Sequence, residues 1–318
     1  RLRARAPMHA SGNDCAPSCS SALARASPPR ASEAMRARVT ARAWRVLASM
    51  CLLLAARPAR ARDWVRFSGD FDARPCTLPT LRVDDLSADA FERAFRDAER
   101  PVVIVGLGPT RARTLERVSR EALLEAFGDE VVALSSSNTF SYEKKKKTLR
   151  AYVEEDVPAE RGEDASATWY WFGDHTDEHG NTPSGFQELF DSYEDIRFVP
   201  KDADVAYSFG VGGRYSGVPM HQHGPGWSES LVGRKHWFIA PPDPAPTFEP
   251  NVTAYFWSLD ALRRGDVREG DGILECTVHA GEAIYFPTNW WHATLNLDES
   301  VFISSFVNYN RRGEREEL

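Results

Sequence analysis

The sequence predicts a mainly β domain with helical additions, its strands forming a closed or double-sheet core. Two observations lead there. From Asp204 onward, short β-branched and aromatic runs follow one another at Val205–Phe209, Val218–His223, Glu229–Val232, Lys235–Ala240, Leu274–His279, Glu282–Phe286, Trp291–Leu295 and Val301–Val307. Gly and Pro turns separate them, the texture of a closed or double-sheet β architecture. The 318 residues, 42% of them hydrophobic, also supply enough apolar surface for one large domain or two modest ones.

The preceding part, 62–200, is read as an α/β region packed on the β core of 201–310. An amphipathic helix is expected near Ala88–Glu99. Pro101–Gly106 is a short apolar run closed by Gly, hence a buried strand. Leu123, Leu124 and Phe127 have helical spacing within Ser119–Phe127, and Gly128 stops that helix. Glu130–Leu134 reads as a strand, Arg150–Glu155 as a helix, and Glu160–Ala167 as an exposed acidic loop. The lysine run Lys144–Lys147 is assigned to a solvated loop or helix entrance. Thr168–Phe172 is a strand, Gly185–Tyr193 a helix, and Trp257–Arg264 a helical insertion among the later strands.

The N-terminal stretch has the pattern of a targeting segment. Residues 1–34 are set aside as a gene-model extension or disordered arm. From Met35, basic residues run into an apolar block at Val46–Ala56, and Ala59-Arg60-Ala61 offers a cleavage site, so 35–61 is read as a signal peptide. A mitochondrial transit peptide is the competing reading. At the other end, 311–318 is a charged tail whose Arg315-Glu316-Glu317-Leu318 resembles the K-D-E-L retrieval address. Together these point to the endoplasmic reticulum lumen. Asn251-Val252-Thr253 is a glycosylation sequon usable there. Cys15, Cys19 and Cys51 fall in the leader, leaving Cys76 and Cys276 as an even pair for which a disulfide is expected.

Net charge narrows the partners. The chain carries −7, but residues 1–61 hold eleven Arg against Asp14 and Glu33. The remainder therefore has 28 basic against 44 acidic residues, a net of −16. That balance disfavours a nucleic-acid partner, which demands a basic footprint. A protein substrate or luminal protein partner is expected, with no transmembrane segment once the leader is removed; nothing in the sequence fixes the oligomeric state.

The chemistry concentrates at His221-Gln222-His223 and at Trp290-Trp291-His292. Imidazoles two apart in an extended segment share a face, and a third, seventy-one residues after the first, can complete a metal site. Imidazole nitrogen suits iron, copper, zinc and nickel alike. His175 and His179 sit in a polar loop and are read as solvent-facing. His236 is read as structural, His279 as exposed, and Glu229, six residues beyond His223, as a further carboxylate candidate for the ion.

The spacing His221-x-His223, Gly233-Arg234-Lys235-x-Trp237, Gly281-Glu282-x-x-x-Phe286-Pro287-x-x-Trp290-Trp291-His292-x-x-x-Asn296-Leu297 resembles the jumonji-C (cupin-like) oxygenases. The resemblance implies a double-stranded β-helix (cupin/jelly-roll) core, iron(II) at its mouth and 2-oxoglutarate as cosubstrate. It places metal ligands at His221, His223 and His292. Lys235, fourteen residues after His221, takes the cosubstrate's far carboxylate, with Tyr170 and Thr294 as further candidates for the same pocket. One feature departs from the family: His223 stands where a carboxylate belongs, leaving the ligand set one negative charge short. Zinc with one water fits three imidazoles equally well. Three functions follow as expectations: a luminal 2-oxoglutarate-dependent hydroxylase of protein side chains, an inactive relative serving as a folding or interaction module, and a three-histidine metalloenzyme independent of 2-oxoglutarate.

Overall fold

A computed structural model describes residues 63–309 apart from 70, 141–142, 160–167, 174–183 and 269–271. The leader and tail, the 160–167 loop, and His175 and His179 lie outside the described residues. Twelve strands are described: β1 (Thr80–Arg82), β2 (Val102–Val105), β3 (Val131–Ser136), β4 (Lys144–Thr148), β5 (Trp169–Phe172), β6 (Asp204–Gly212), β7 (Gly226–Val232), β8 (Arg234–Ala240), β9 (Leu274–His279), β10 (Glu282–Phe286), β11 (Trp291–Asn296) and β12 (Ser300–Asn308). They form a nine-stranded sheet in the order β1-β2-β10-β7-β12-β6-β5-β3-β4 and a three-stranded sheet β11-β8-β9. The expected mainly β, double-sheet jelly-roll architecture is what forms.

The small sheet shows why the strands sit as they do. Along β8 and β11 side chains alternate, so each strand has two contrasting faces. Phe238, Ala240, Ala293 and Leu295 point away from the large sheet and pack with Trp257 and Ala261 of the helix Ala254–Arg264. Trp237 and Ile239 point the other way, toward Val103, Ile284 and Phe286 of the large sheet. The back of the large sheet is covered by Leu123, Leu124 and Phe127 of the helix Arg120–Phe127 and by Phe186 and Leu189 of Ser184–Asp191.

Two expectations need correction and one helix went unpredicted. Val218–His223 is not a strand: His221 alone forms a bridge, pairing with His292. Pro219 has no amide hydrogen to donate, which breaks the ladder at that point. Lys144–Lys147 is not a loop but most of β4, at the edge of the large sheet. Lys147 pairs with Glu155 and Asp156, and Lys145 with Asp156 while lying over the Trp169 ring. Lysines on an edge strand discourage pairing with another chain. The helix Ala112–Val118 was not anticipated; it buries only Thr114 and Val118, too few apolar positions to display a periodic face.

The chain before β1 straps the small sheet to the rest. Val65 N–H donates to Glu299, Phe67 N–H to Asp298, and Arg234 joins Asp298 and Asp72. Phe71 is buried beside His236 and Phe238. The sulfurs of Cys76 and Cys276 lie 2.05 Å apart, linking this strap to β9 across a sequence separation of 200. Replacing both by serine is expected to lower unfolding free energy by about 2–5 kcal/mol, since the link restrains a long loop in the unfolded chain. Denaturant titration under non-reducing conditions checks this.

Candidate metal centre

His221 and His292 face each other across an antiparallel bridge in which each amide donates to the other's carbonyl, at 3.0 and 2.9 Å. Their rings lie 4.2 Å apart between centroids, and the His223 ring is 5.3 and 4.7 Å from them. One nitrogen from each ring falls within 4.8 Å of the others. His223 is held in turn by the β10–β11 turn, where Asn289 N–H donates to its carbonyl.

The decisive detail is how the outward nitrogens are used. His221 Nδ1 meets the Pro219 carbonyl, His223 Nδ1 the Gly224 carbonyl and His292 Nδ1 the Trp290 carbonyl, each at 2.8 Å. A carbonyl only accepts, so all three Nδ1 atoms carry the proton. Each Nε2 then presents its lone pair toward the others, and those of His223 and His292 sit 3.1 Å apart. Backbone carbonyls fixing the tautomer of metal-binding imidazoles are the usual supporting arrangement. Burial lowers the pKa of all three, that of His221 to about 4, so each is a neutral donor at neutral pH. The donor set therefore fits a divalent transition metal.

Aromatic rings surround the cluster. Trp237 stacks on His292 at 5.6 Å, Phe286 does so at 5.1 Å, and His223 meets Phe286 and Phe306 edge-on. Behind them lies a narrow cavity of about 30 Å³. Its wall follows from strand periodicity: His292, Thr294 and Asn296 alternate along β11 on the cavity face. Trp237 and Lys235 stand directly opposite Thr294 and Asn296 on β8.

Lys235 is 4% exposed, its Nζ resting 3.1 Å from the centroid of the Phe302 ring. Among the described residues no carboxylate pairs with it, and burial pushes its pKa well below the usual lysine range. An ammonium held so deep without an anion is costly. Thr294 Oγ1 accepts from Val218 N–H, leaving its own hydrogen available, and Tyr170 lines the same cavity.

Asn296 is a cavity residue that sequence reasoning passed over. Ser216 Oγ donates to the Gly213 carbonyl and so accepts from Asn296 Nδ2, which orients the amide and leaves Oδ1 buried with no partner among the described residues. Its spacing of four from His292 along one strand was the available signal.

Other candidates are elsewhere. Glu229 is fully buried in an ion pair with Arg111 at 2.7 and 2.9 Å and accepts from Tyr193, so it is no ligand. His236 is buried between Thr277 and Glu275, and His279 is exposed. Asn251 is exposed just before the helix Ala254–Arg264.

Two sheets enclosing a pocket, with imidazoles at its mouth and a lysine on its wall, define a cupin-type fold with a candidate metal centre. A profile of the Cupin-like domain matches residues 88–313, and the chain belongs to this cupin-like, jumonji-C family. It is 45% identical over 213 residues to JmjC domain-containing protein 8 of Rattus norvegicus, spanning 65% of this chain and 74% of that protein. It is 28% identical over 258 residues to Lysine-specific demethylase JMJ21 of Arabidopsis thaliana, spanning 72% of this chain and 25% of the relative. It is 28% identical over 116 residues to the 2-oxoglutarate and iron-dependent oxygenase JMJD4 homolog of Drosophila melanogaster, spanning 35% and 24%.

Proposed function

We propose that this chain is an iron(II)- and 2-oxoglutarate-dependent oxygenase of the protein-hydroxylase type, acting in the lumen of the endoplasmic reticulum. The observation that carries this reading is the pairing of three converging Nε2 donors with a lysine that no carboxylate among the described residues pairs, in one cavity. A relative named as a 2-oxoglutarate and iron-dependent oxygenase supports the cofactor pair. His221, His223 and His292 would hold the metal, which supplies oxygen activation when 2-oxoglutarate is bound with it.

The chain's own residues account for the rest. Lys235 would bind the far carboxylate of the cosubstrate by a charge-assisted hydrogen bond, with Thr294 donating beside it. Trp237, Phe286 and Phe306 restrict water around the reacting ion. Three neutral ligands leave both metal charges uncompensated by protein, so a dianionic cosubstrate would be drawn to the site more strongly than to one containing a carboxylate.

The luminal address is supported by the leader pattern of 35–61, the sequon at exposed Asn251 and the Cys76–Cys276 link. Among the described residues no helix is long and apolar enough to cross a membrane. The acidic remainder of the chain favours a protein over a nucleic-acid partner.

His223 favours a second reading, a three-histidine metalloprotein that does without 2-oxoglutarate or has lost catalysis. Anaerobic titration separates the two. The oxygenase reading expects iron(II) binding and further thermal stabilisation by 2-oxoglutarate. Lys235→Ala is expected to weaken the cosubstrate by about 100-fold, the loss of a buried charge-assisted contact, while leaving the metal bound. Metal binding with no response to 2-oxoglutarate in the wild type would leave the second reading standing.

A further inference from the structure

We propose that Phe302 selects the anion by chain length, forming the end wall of the Lys235 pocket and admitting 2-oxoglutarate in preference to a longer 2-oxo diacid. This rests on the reading that Lys235 receives the cosubstrate's far carboxylate. The Phe302 ring covers one side of the ammonium at 3.1 Å, and no oxygen partner of Nζ is found among the described residues. A carboxylate needs to come within about 2.7–2.9 Å of that nitrogen. It therefore reaches Nζ only from the side the ring leaves open, and an added methylene has to enter space the ring fills.

The ring is also fixed in place. Gly210 stands opposite Phe302 on β6, and a Cβ built there would come within 2.4, 2.6 and 3.0 Å of three ring carbons. The ring is thus seated in the gap that a missing side chain leaves. Phe172 lies 5.4 Å away, and a register shift between Val301 and Phe302 marks where β12 delivers the ring to the cavity. Phe302 is 4% exposed. A wall buttressed by backbone discriminates by size, because the ring cannot retreat.

The test uses the full chain loaded with cobalt(II), with binding of 2-oxoglutarate and 2-oxoadipate read by calorimetry and by thermal stabilisation. Wild type is expected to prefer 2-oxoglutarate by about tenfold or more, the range one methylene commands in a close-fitting pocket. Phe302→Ala, and less fully Phe302→Leu, is expected to bring the two anions to within about threefold of each other. Gly210→Ala is expected to push the ring toward Lys235 and weaken both anions at least about fivefold, yet to have no effect in the Phe302→Ala background.

An unchanged preference in folded Phe302→Leu or Phe302→Ala would overturn the proposal. So would an equal loss from Gly210→Ala in both backgrounds, or a wild type that binds the two anions alike. Cobalt binding with no affinity for either anion would instead bring down the underlying assignment of Lys235, and this proposal with it.

Discussion

His292→Ala should abolish stable metal binding, lowering affinity by more than about 100-fold, since even the loss of a supporting contact to a ligand costs about 10- to 100-fold. The same substitution at exposed His279 should change nothing. Titration with cobalt(II), followed by its visible absorption, distinguishes them. Acid sensitivity follows from the same geometry. The folded-state pKa of His221 is about 4, below its ordinary 6.5. In the metal-free protein the unfolded chain therefore takes up this proton first as pH falls. The stability this group confers is fully present above about pH 6.5 and is lost progressively down to about pH 4. Metal retention should accordingly persist at pH 5.5, where ordinary histidines are already protonated, and fail toward pH 4.

Glu229→Ala should be the most damaging single change outside the metal centre, costing about 3–5 kcal/mol by stranding a buried guanidinium. Arg111 and Glu229 are 2% and 0% exposed at their side chains, and Tyr193 donates to the same carboxylate while its ring underlies Arg111. The pair fastens the start of the helix Ala112–Val118 to β7. Chemical denaturation compared with Glu229→Gln, which keeps the shape and part of the hydrogen bonding, isolates the charge. If Glu229→Ala unfolds at the wild-type midpoint, the pair contributes no net stability.

The strands were legible because their chemistry is local. Alternating apolar residues and Gly or Pro turns mark β6 to β12 to within three residues at each end, with Val218–His223 as the exception, since Pro219 leaves backbone acceptors without matching donors. The histidine spacing was legible too, as was Lys235 through its resemblance. What stayed hidden depends on distant neighbours. Nothing in Ser300-Val301-Phe302 announces that a ring will lie on Lys235, because the space for it comes from Gly210, ninety-two residues earlier. Glu229 looked available to a metal on spacing alone; its claim is settled by Arg111, a partner 118 residues away. The strand made by Lys144–Lys147 defied its composition because Glu155, Asp156 and Trp169 supply the counter-charges and the aromatic surface.

The His221–His292 bridge also has a dynamic consequence. It joins a stretch with almost no regular pairing of its own to β11, the edge strand of the small sheet, so a bound cation there would act as a rivet across a seam. Emptying the site with a chelator should let the seam breathe first. Amide hydrogen exchange at residues 218–223 should accelerate well before β8 or β12 responds, making those few amides a reporter of whether the rivet is in place.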